Sequence, residues 1–253
     1  MCLIAFAWNV HPLWRLVLAG NRDEFHARPS APLKRWPHSP IMAGRDLQAG
    51  GTWLGVTASG RCAVVTNVRD PRASSDGMSR GLLVSDYLAG GSDAHDQGEL
   101  LLHQAAGYRP FNLLLFDRRQ ALFVGNHPEP RRQVIDAGVH GLSNADLDTA
   151  WPKVQTMRQH MQAWVTQAAG DPLALLAALA DEQVAPGAQL PETGIGLQRE
   201  RKLSAAFVRG DTYGTRASSV VAIAHDGHGM MVERTFGPNG HAGVETRLDF
   251  NAA

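Results

Sequence analysis

The sequence predicts an α+β fold in which two antiparallel sheets are faced by two helix layers, a four-layer αββα sandwich. Two observations predict it. Strand-like and helix-like residues alternate in blocks rather than one by one, which fits segregated layers and not a doubly wound parallel sheet. The strand-like runs at both ends of the chain are joined by turn residues, as hairpins are.

The elements follow in order. Residues 2–10 (CLIAFAWNV) and 14–21 (WRLVLAGN) are apolar runs, with His11-Pro12 between them as a turn. Folding this hairpin about Pro12-Leu13 gives antiparallel pairs whose numbers sum to about 25, which sets Cys2 beside Asp23 with Arg22 next to it. A second hairpin joins 51–58 to 61–67 through Ser59-Gly60. Its pairs sum to about 119, so Thr52 and Asn67 meet at its open end. Residues 79–90 read as a helix stopped by Gly90-Gly91, and 98–108 carry a second helical pattern. Strands follow at 111–117, 121–126, 131–138 and 139–144. Trp151-Pro152 opens a helix that runs to Gly170, and 171–183 form another with Pro172 near its start. The chain closes with strands at 215–225, 229–237 and 244–250, the first two joined by Asp226-Gly227. Residues 26–49, 70–78 and 185–201 read as loops.

At 253 residues the chain is long enough to bury a sizeable core, and it is read as a single domain over 1–253. Lys+Arg and Asp+Glu are both 24, and zero net charge argues against a general nucleic-acid binder. No run approaches the roughly 18 apolar residues of a membrane span. No signal peptide is read, since Asn9, His11 and Arg15 interrupt the early apolar run. Two cysteines make no disulfide framework. These features predict a soluble cytoplasmic protein. His225 and His228 flank a turn without a ligand cluster, so no metal site is expected there. Cys62 reads as core, and Glu200-Arg201 as a solvated face.

Polar clusters stand at the ends of apolar strands: 21–24 (NRDE), 50–53 (GGTW), Thr66-Asn67, Ser143-Asn144 and 214–216 (GTR). Strand ends collect catalytic groups because a rigid scaffold positions them and leaves them reachable. Cys2 is the candidate nucleophile. Removing Met1 would free its α-amine, whose reference pKa of about 7.7–8.0 suits a general base for a thiol near 8.5. Arg22 would favour the thiolate and Asp23 would hold the ammonium. Asn67 and Asn144 offer N–H donors for an oxyanion. Asn21, Glu24, Thr52, Trp53 and Thr66 are the candidate substrate-binding residues. Each piece taken singly has a structural explanation; their coincidence on one hairpin is what points to chemistry. If Met1 is retained, the Cys2 nitrogen is an amide and cannot act as a base.

The stretches MCLIAFAWN, GNRDEFHARP, GGTWLGV, TNVRDP, SRGLLVSDYL, LSNADLDTAWPK and YGTRASS, ordered from Met1 to Ser219, resemble the NRDE-motif proteins, also called the transport and Golgi organisation protein 2 family. That family is similar to N-terminal nucleophile hydrolases with a cysteine nucleophile, such as penicillin V acylase and bile salt hydrolase. The resemblance implies the αββα fold of that class and hydrolysis of an amide, or a thioester, of a small acyl substrate. It adds Arg216 as a second cation near the thiol. It implies no cofactor; haem, or a lipid or acyl-CoA, would be a ligand in the alternative role of a non-catalytic carrier. In the acylases two residues separate the activating Arg and Asp, whereas Arg22 and Asp23 are adjacent. Neighbours on a regular strand face opposite ways. Either a bulge sits here, or Glu24 or Asn21 takes one of the roles.

Overall fold

The computed structural model describes residues 2–74, 76–167 and 170–251. Strand β1 (Cys2–Trp8) is buried at every position. Ile4, Phe6 and Trp8 enter one apolar cluster, and Leu3, Ala5 and Ala7 enter another on the opposite face. A strand covered on both faces needs apolar side chains throughout, which is why this antiparallel strand shows no alternation in sequence.

Strand β2 (Trp14–Phe25) pairs with β1 on one edge and with a late strand on the other. Strands β3 (Ser30–Arg35), β4 (Ile41–Asp46), β5 (Leu54–Thr57), β6 (Cys62–Asn67), β7 (Phe111–Phe116), β8 (Ala121–Gly125) and β9 (Arg131–Ile135) form a seven-stranded antiparallel meander in chain order. Strands β10 (Gly138–Leu142), β11 (Tyr213–Ala224), β12 (His228–Phe236) and β13 (Ala242–Asn251) complete a six-stranded sheet ordered β10-β1-β2-β11-β12-β13. The two sheets pack face to face over a core that includes Phe6, Leu18, Val64, Phe116, Phe123 and Val221.

Helices α1 (Arg80–Ala89) and α2 (Ala94–Gln104) cover the outer face of the seven-stranded sheet through Leu83, Val84, Leu88 and Leu101. Helices α3 (Pro152–Thr166) and α4 (Leu175–Leu179) cover the six-stranded sheet through Val154, Met157, Met161 and Leu176. The layers therefore run helix, sheet, sheet, helix, as the block order implies. No helix among the described residues is long and apolar enough to cross a membrane.

Several elements differ from the sequence expectation. Cys2 stands opposite Arg22, not Asp23, because the β1–β2 turn is one residue tighter than the expected register. The second hairpin pairs Leu54 with Val64, and Thr52 leaves the ladder to donate its N–H to Gly81 O of α1 at 3.1 Å. Residues 26–49 hold β3 and β4 rather than a loop. Pro32 hid β3; it is tolerated because β3 is the sheet edge and its pairing slips between Ala31 and Lys34. α2 begins at Ala94, capped by Asp93, which accepts the Asp96 N–H at 2.9 Å. The helix expected over 171–183 shrinks to a 3₁₀ turn and α4. Its carbonyls serve tertiary partners instead: Leu179 O accepts from Asn21 Nδ2 at 2.8 Å, and Asp181 O from Phe207 N. Within 185–201 a short helix begins, α5 (Leu197–Lys202).

The turn before β5 touches α1 directly. A Cβ on Gly51 would lie 2.3 Å from the Gly81 carbonyl carbon, a backbone atom that cannot move aside. Gly51→Ala is expected to destabilise the protein by about 1–3 kcal/mol by overpacking this contact. A lower urea midpoint with an unchanged slope checks it; an unchanged midpoint contradicts it.

Candidate active site

Three strand ends meet where the sheets converge: the start of β1 and the ends of β6 and β10. They are stitched by buried hydrogen bonds. Ser143 Oγ donates to Cys2 O at 2.7 Å, and Thr66 Oγ1 donates to Ser143 O at 2.6 Å. Asn144 Nδ2 donates to Asn67 O at 3.0 Å and to Asn67 Oδ1 at 2.9 Å. Holding the Asn67 oxygen leaves its Nδ2 as the donor end, which also reaches Val68 O at 3.2 Å.

Cys2 sits in a cleft of about 650 Å³ between the sheets. The cleft is also lined by Arg22, Asp23, Glu24, Thr52, Trp53, Thr66, Asn67 and Arg216. Asn21 and Asn144 are not in its lining. Asn21 is fully buried; its Nδ2 donates to Leu179 O and Ala206 O, each at 2.8 Å, and its Oδ1 accepts from Ser218 Oγ at 2.6 Å. Thr52 Oγ1 donates to Leu54 O at 3.0 Å, and Trp53 packs on the inter-sheet core. Arg22 forms an ion pair with Glu24 at 3.6 Å.

The adjacency of Arg22 and Asp23 is resolved by a bulge on the neighbouring strand. Asp23 pairs with Thr215 but Arg22 pairs with Ala217, so Arg216 is an extra residue on β11. Asp23 is directed to the helix face of the sheet, where it accepts from Thr215 Oγ1 at 2.7 Å. Arg22 and the bulged Arg216 line the cleft. Arg216 Nη1 donates to the carbonyls of Phe25, His26 and Arg28 at 2.9, 3.1 and 3.1 Å, and Nη2 reaches Ser30 Oγ at 3.1 Å. Its hydrogen bonds thus tie down the segment leading to β3.

Burial pushes the Cys2 thiol up and the Asp23 charge adds to that. Arg22 and the backbone N–H of Asp23, which hydrogen-bonds the sulfur, pull it down. Burial likewise raises the Asp23 carboxyl, against Lys153, the Thr215 hydroxyl and Arg69. Cys62 lies in the inter-sheet core with its thiol pushed far up by burial.

Sequence reasoning missed much of the charge around the thiol. Arg28, Arg45, Arg80 and Arg109 also line the cleft, so six arginines stand with the carboxylates of Glu24, Asp46 and Glu233, while the Asp23 carboxylate is turned to the helix face. Glu200 is not on a solvated face: it is 3% exposed and pairs with Arg69 at 2.6 Å. Lys153 is also buried, with Asp23 the foremost charge acting on it. One signal was available for two of these. Arg80 and Lys153 stand in the first turns of α1 and α3, where a cation opposes the helix dipole. A basic residue in that place asks for a reason elsewhere. No group of three or more metal-ligating side chains occurs among the described residues.

Residues 1–238 match the profile of the family described as Transport and Golgi organisation 2. The Transport and Golgi organization 2 homolog of Mus musculus is 34% identical over 256 residues, covering 93% of each chain. The Homo sapiens homolog is 33% identical over 268 residues, covering 98% of this chain and 97% of its own. Among solved structures, a Caenorhabditis elegans N-acylethanolamine-hydrolyzing acid amidase ortholog superposes with a TM-score of 0.51 at 8% identity, over 87% of this chain and 92% of that one. A mutant of the conjugated bile acid hydrolase of Clostridium perfringens superposes with a TM-score of 0.54 at 9% identity, over 98% of this chain and 92% of that one. At these identities the likeness is one of fold.

Proposed function

The chain belongs to the Transport and Golgi organisation 2 family and has the fold of the N-terminal nucleophile hydrolases, and from that premise we propose that it hydrolyses an amide or thioester of a small acyl substrate through Cys2. The observation that carries this reading is the seat of Cys2: at the first described residue of β1, on the cleft, opposite Arg22, with the Asp23 N–H on its sulfur.

Removal of Met1, which lies outside the described residues, frees the Cys2 α-amine. That amine takes the thiol proton, and Arg22 stabilises the thiolate. Asp23, on the same strand end, orients the resulting ammonium. The sulfur attacks the substrate carbonyl carbon, and the oxyanion accepts from Asn67 Nδ2, itself oriented by Asn144. The carbon–nitrogen (or carbon–sulfur) bond breaks, and the leaving group takes its proton from the ammonium. Water then attacks the acyl-Cys2 thioester, giving one proton to the amine; the carboxylic acid product leaves, losing its proton to solvent, and the thiolate is restored beside the ammonium. The arginine excess favours substrates that carry an anionic group.

Stopped-flow release from chromogenic N-acyl amides and acyl thioesters tests this. A burst equal to the concentration of protein lacking Met1 supports the acyl-Cys2 intermediate. No turnover of any anionic acyl compound would contradict it.

A second reading rests on the same cleft: binding and carriage of an anionic lipid, acyl-CoA or haem without hydrolysis. The six arginines favour an anionic ligand, and among the described lining residues there is no histidine or methionine, only the Cys2 thiolate, of the side chains that ligate haem iron. Calorimetric titration separates the two readings. Tight binding of acyl-CoA without release of its acyl group favours the carrier.

A further inference from the structure

Across the sheet from the thiol lies a buried charge cluster of which the proposed mechanism uses only Asp23. Asp23 is 3% exposed and Lys153 4%. Beside them the Arg69–Glu200 pair is buried at 2.6 Å. Arg69 stacks 4.5 Å over the Trp151 ring, and Glu200 Oε1 accepts the Thr193 N–H at 3.0 Å. The stretch Trp151-Pro152-Lys153 thereby has three separate tasks. Trp151 covers Arg69, Pro152 opens α3, and Lys153 turns inward from its first turn.

Lys153 Nζ has no hydrogen-bond partner among the described residues. A buried ammonium without hydrogen bonds is unfavourable by several kcal/mol in order of magnitude, and an apolar side chain of similar length would serve the packing better. Its retention needs an electrostatic reason. The charged and titratable groups acting on it are Asp23 of β2, Arg69 beyond β6, Cys2 of β1 and Glu200 of α5, with Asp23 foremost. Tyr213 of β11 also faces Asp23. Asp23 is the group that most needs a cation, because burial favours its neutral form.

We propose that Lys153 is a positioning residue for the Cys2 chemistry, its buried ammonium keeping the Asp23 carboxylate ionised. This rests on the hydrolase reading, in which an ionised Asp23 holds the α-ammonium of Cys2. Burial lowers the Lys153 amine to about 8, and Asp23 works in the opposite sense, so the two charges support each other. Without Lys153 the Asp23 midpoint rises. Its ionised fraction at a given pH falls, and the acid limb of the pH–rate profile moves to higher pH.

Carboxyl ¹³C NMR titration of Asp23, assigned with Asp23→Asn, reads this directly in wild type, Lys153→Met and Lys153→Arg. The expected result is an Asp23 midpoint at least one pH unit higher in Lys153→Met, a tenfold change in its proton affinity, with restoration in Lys153→Arg. The acid limb of acyl transfer should move with it. The reciprocal measurement is the Lys153 amine titration in Asp23→Asn, expected to fall below its wild-type midpoint; it decides the matter if Lys153→Met does not fold. An unchanged Asp23 midpoint in Lys153→Met, or an unchanged Lys153 midpoint in Asp23→Asn, overturns the proposal. A shifted midpoint in a protein that transfers no acyl group upholds the coupling and overturns the hydrolase reading instead.

Discussion

Cys2→Ala is expected to abolish acyl transfer, by about 10³-fold or more, while leaving the fold intact. The nucleophile has no substitute at its position. Arg22, Asp23 and Asn67 can polarise and orient but cannot form the acyl bond, and groups that act as one unit lose their effect together. The side chain is small and the site is a strand end, so the stability change should stay near the typical ~1 kcal/mol of a point substitution. Cys62→Ala is the matching control. Cys62 is fully buried between the sheets, and burial holds its thiol neutral. Its replacement should lower stability without changing the rate. Rate constants with a chromogenic acyl compound, beside circular dichroism melts of both variants, check the pair. Equal loss of rate in the two would show that stability, not chemistry, was being measured.

The largest stability effect is expected at Glu200. Glu200→Leu leaves the Arg69 guanidinium buried without its carboxylate, and breaking a buried pair from one side is unfavourable by about 3–5 kcal/mol. For a chain of this size that corresponds to a fall in Tm of ~10 °C. Removing both charges should be milder, because the unpaired ion and not the loss of attraction dominates the damage. Arg69→Met with Glu200→Leu is therefore expected to recover more than half of the loss, read as the coupling energy of a double-mutant cycle. Additive losses would mean that the pair is not coupled.

The fold was legible in the sequence where local pattern and layer order agree. β1, β2, β7 and β11 are apolar on both faces because both faces are covered, and no other arrangement explains such runs in antiparallel hairpins. β3 was hidden by Pro32, which only an edge strand tolerates, and edge position is a property of the whole sheet. α4 was overestimated because its carbonyls bond to Asn21 and other tertiary partners, which no propensity records. In the site, hairpin pairing brought Cys2 to the Arg22-Asp23 end of β2 with an error of one residue. That single residue matters: it puts Arg22, not Asp23, across from the thiol. The bulge that makes room for both was anticipated near these residues, but it lies on β11 at Arg216, some 190 positions away in sequence. The long-range Arg69–Glu200 pair leaves no local trace, and the buried Lys153 leaves only a cation in a helix's first turn.

The central claim is that Cys2, with its own amine freed, is the nucleophile. Peptide mass spectrometry after incubation with a small acyl electrophile tests it most directly. The account predicts an N-terminal peptide that begins at Cys2 and carries one acyl group, absent from Cys2→Ala. Protein lacking Met1 that acquires no adduct at Cys2, or an adduct that persists in Cys2→Ala, would contradict it.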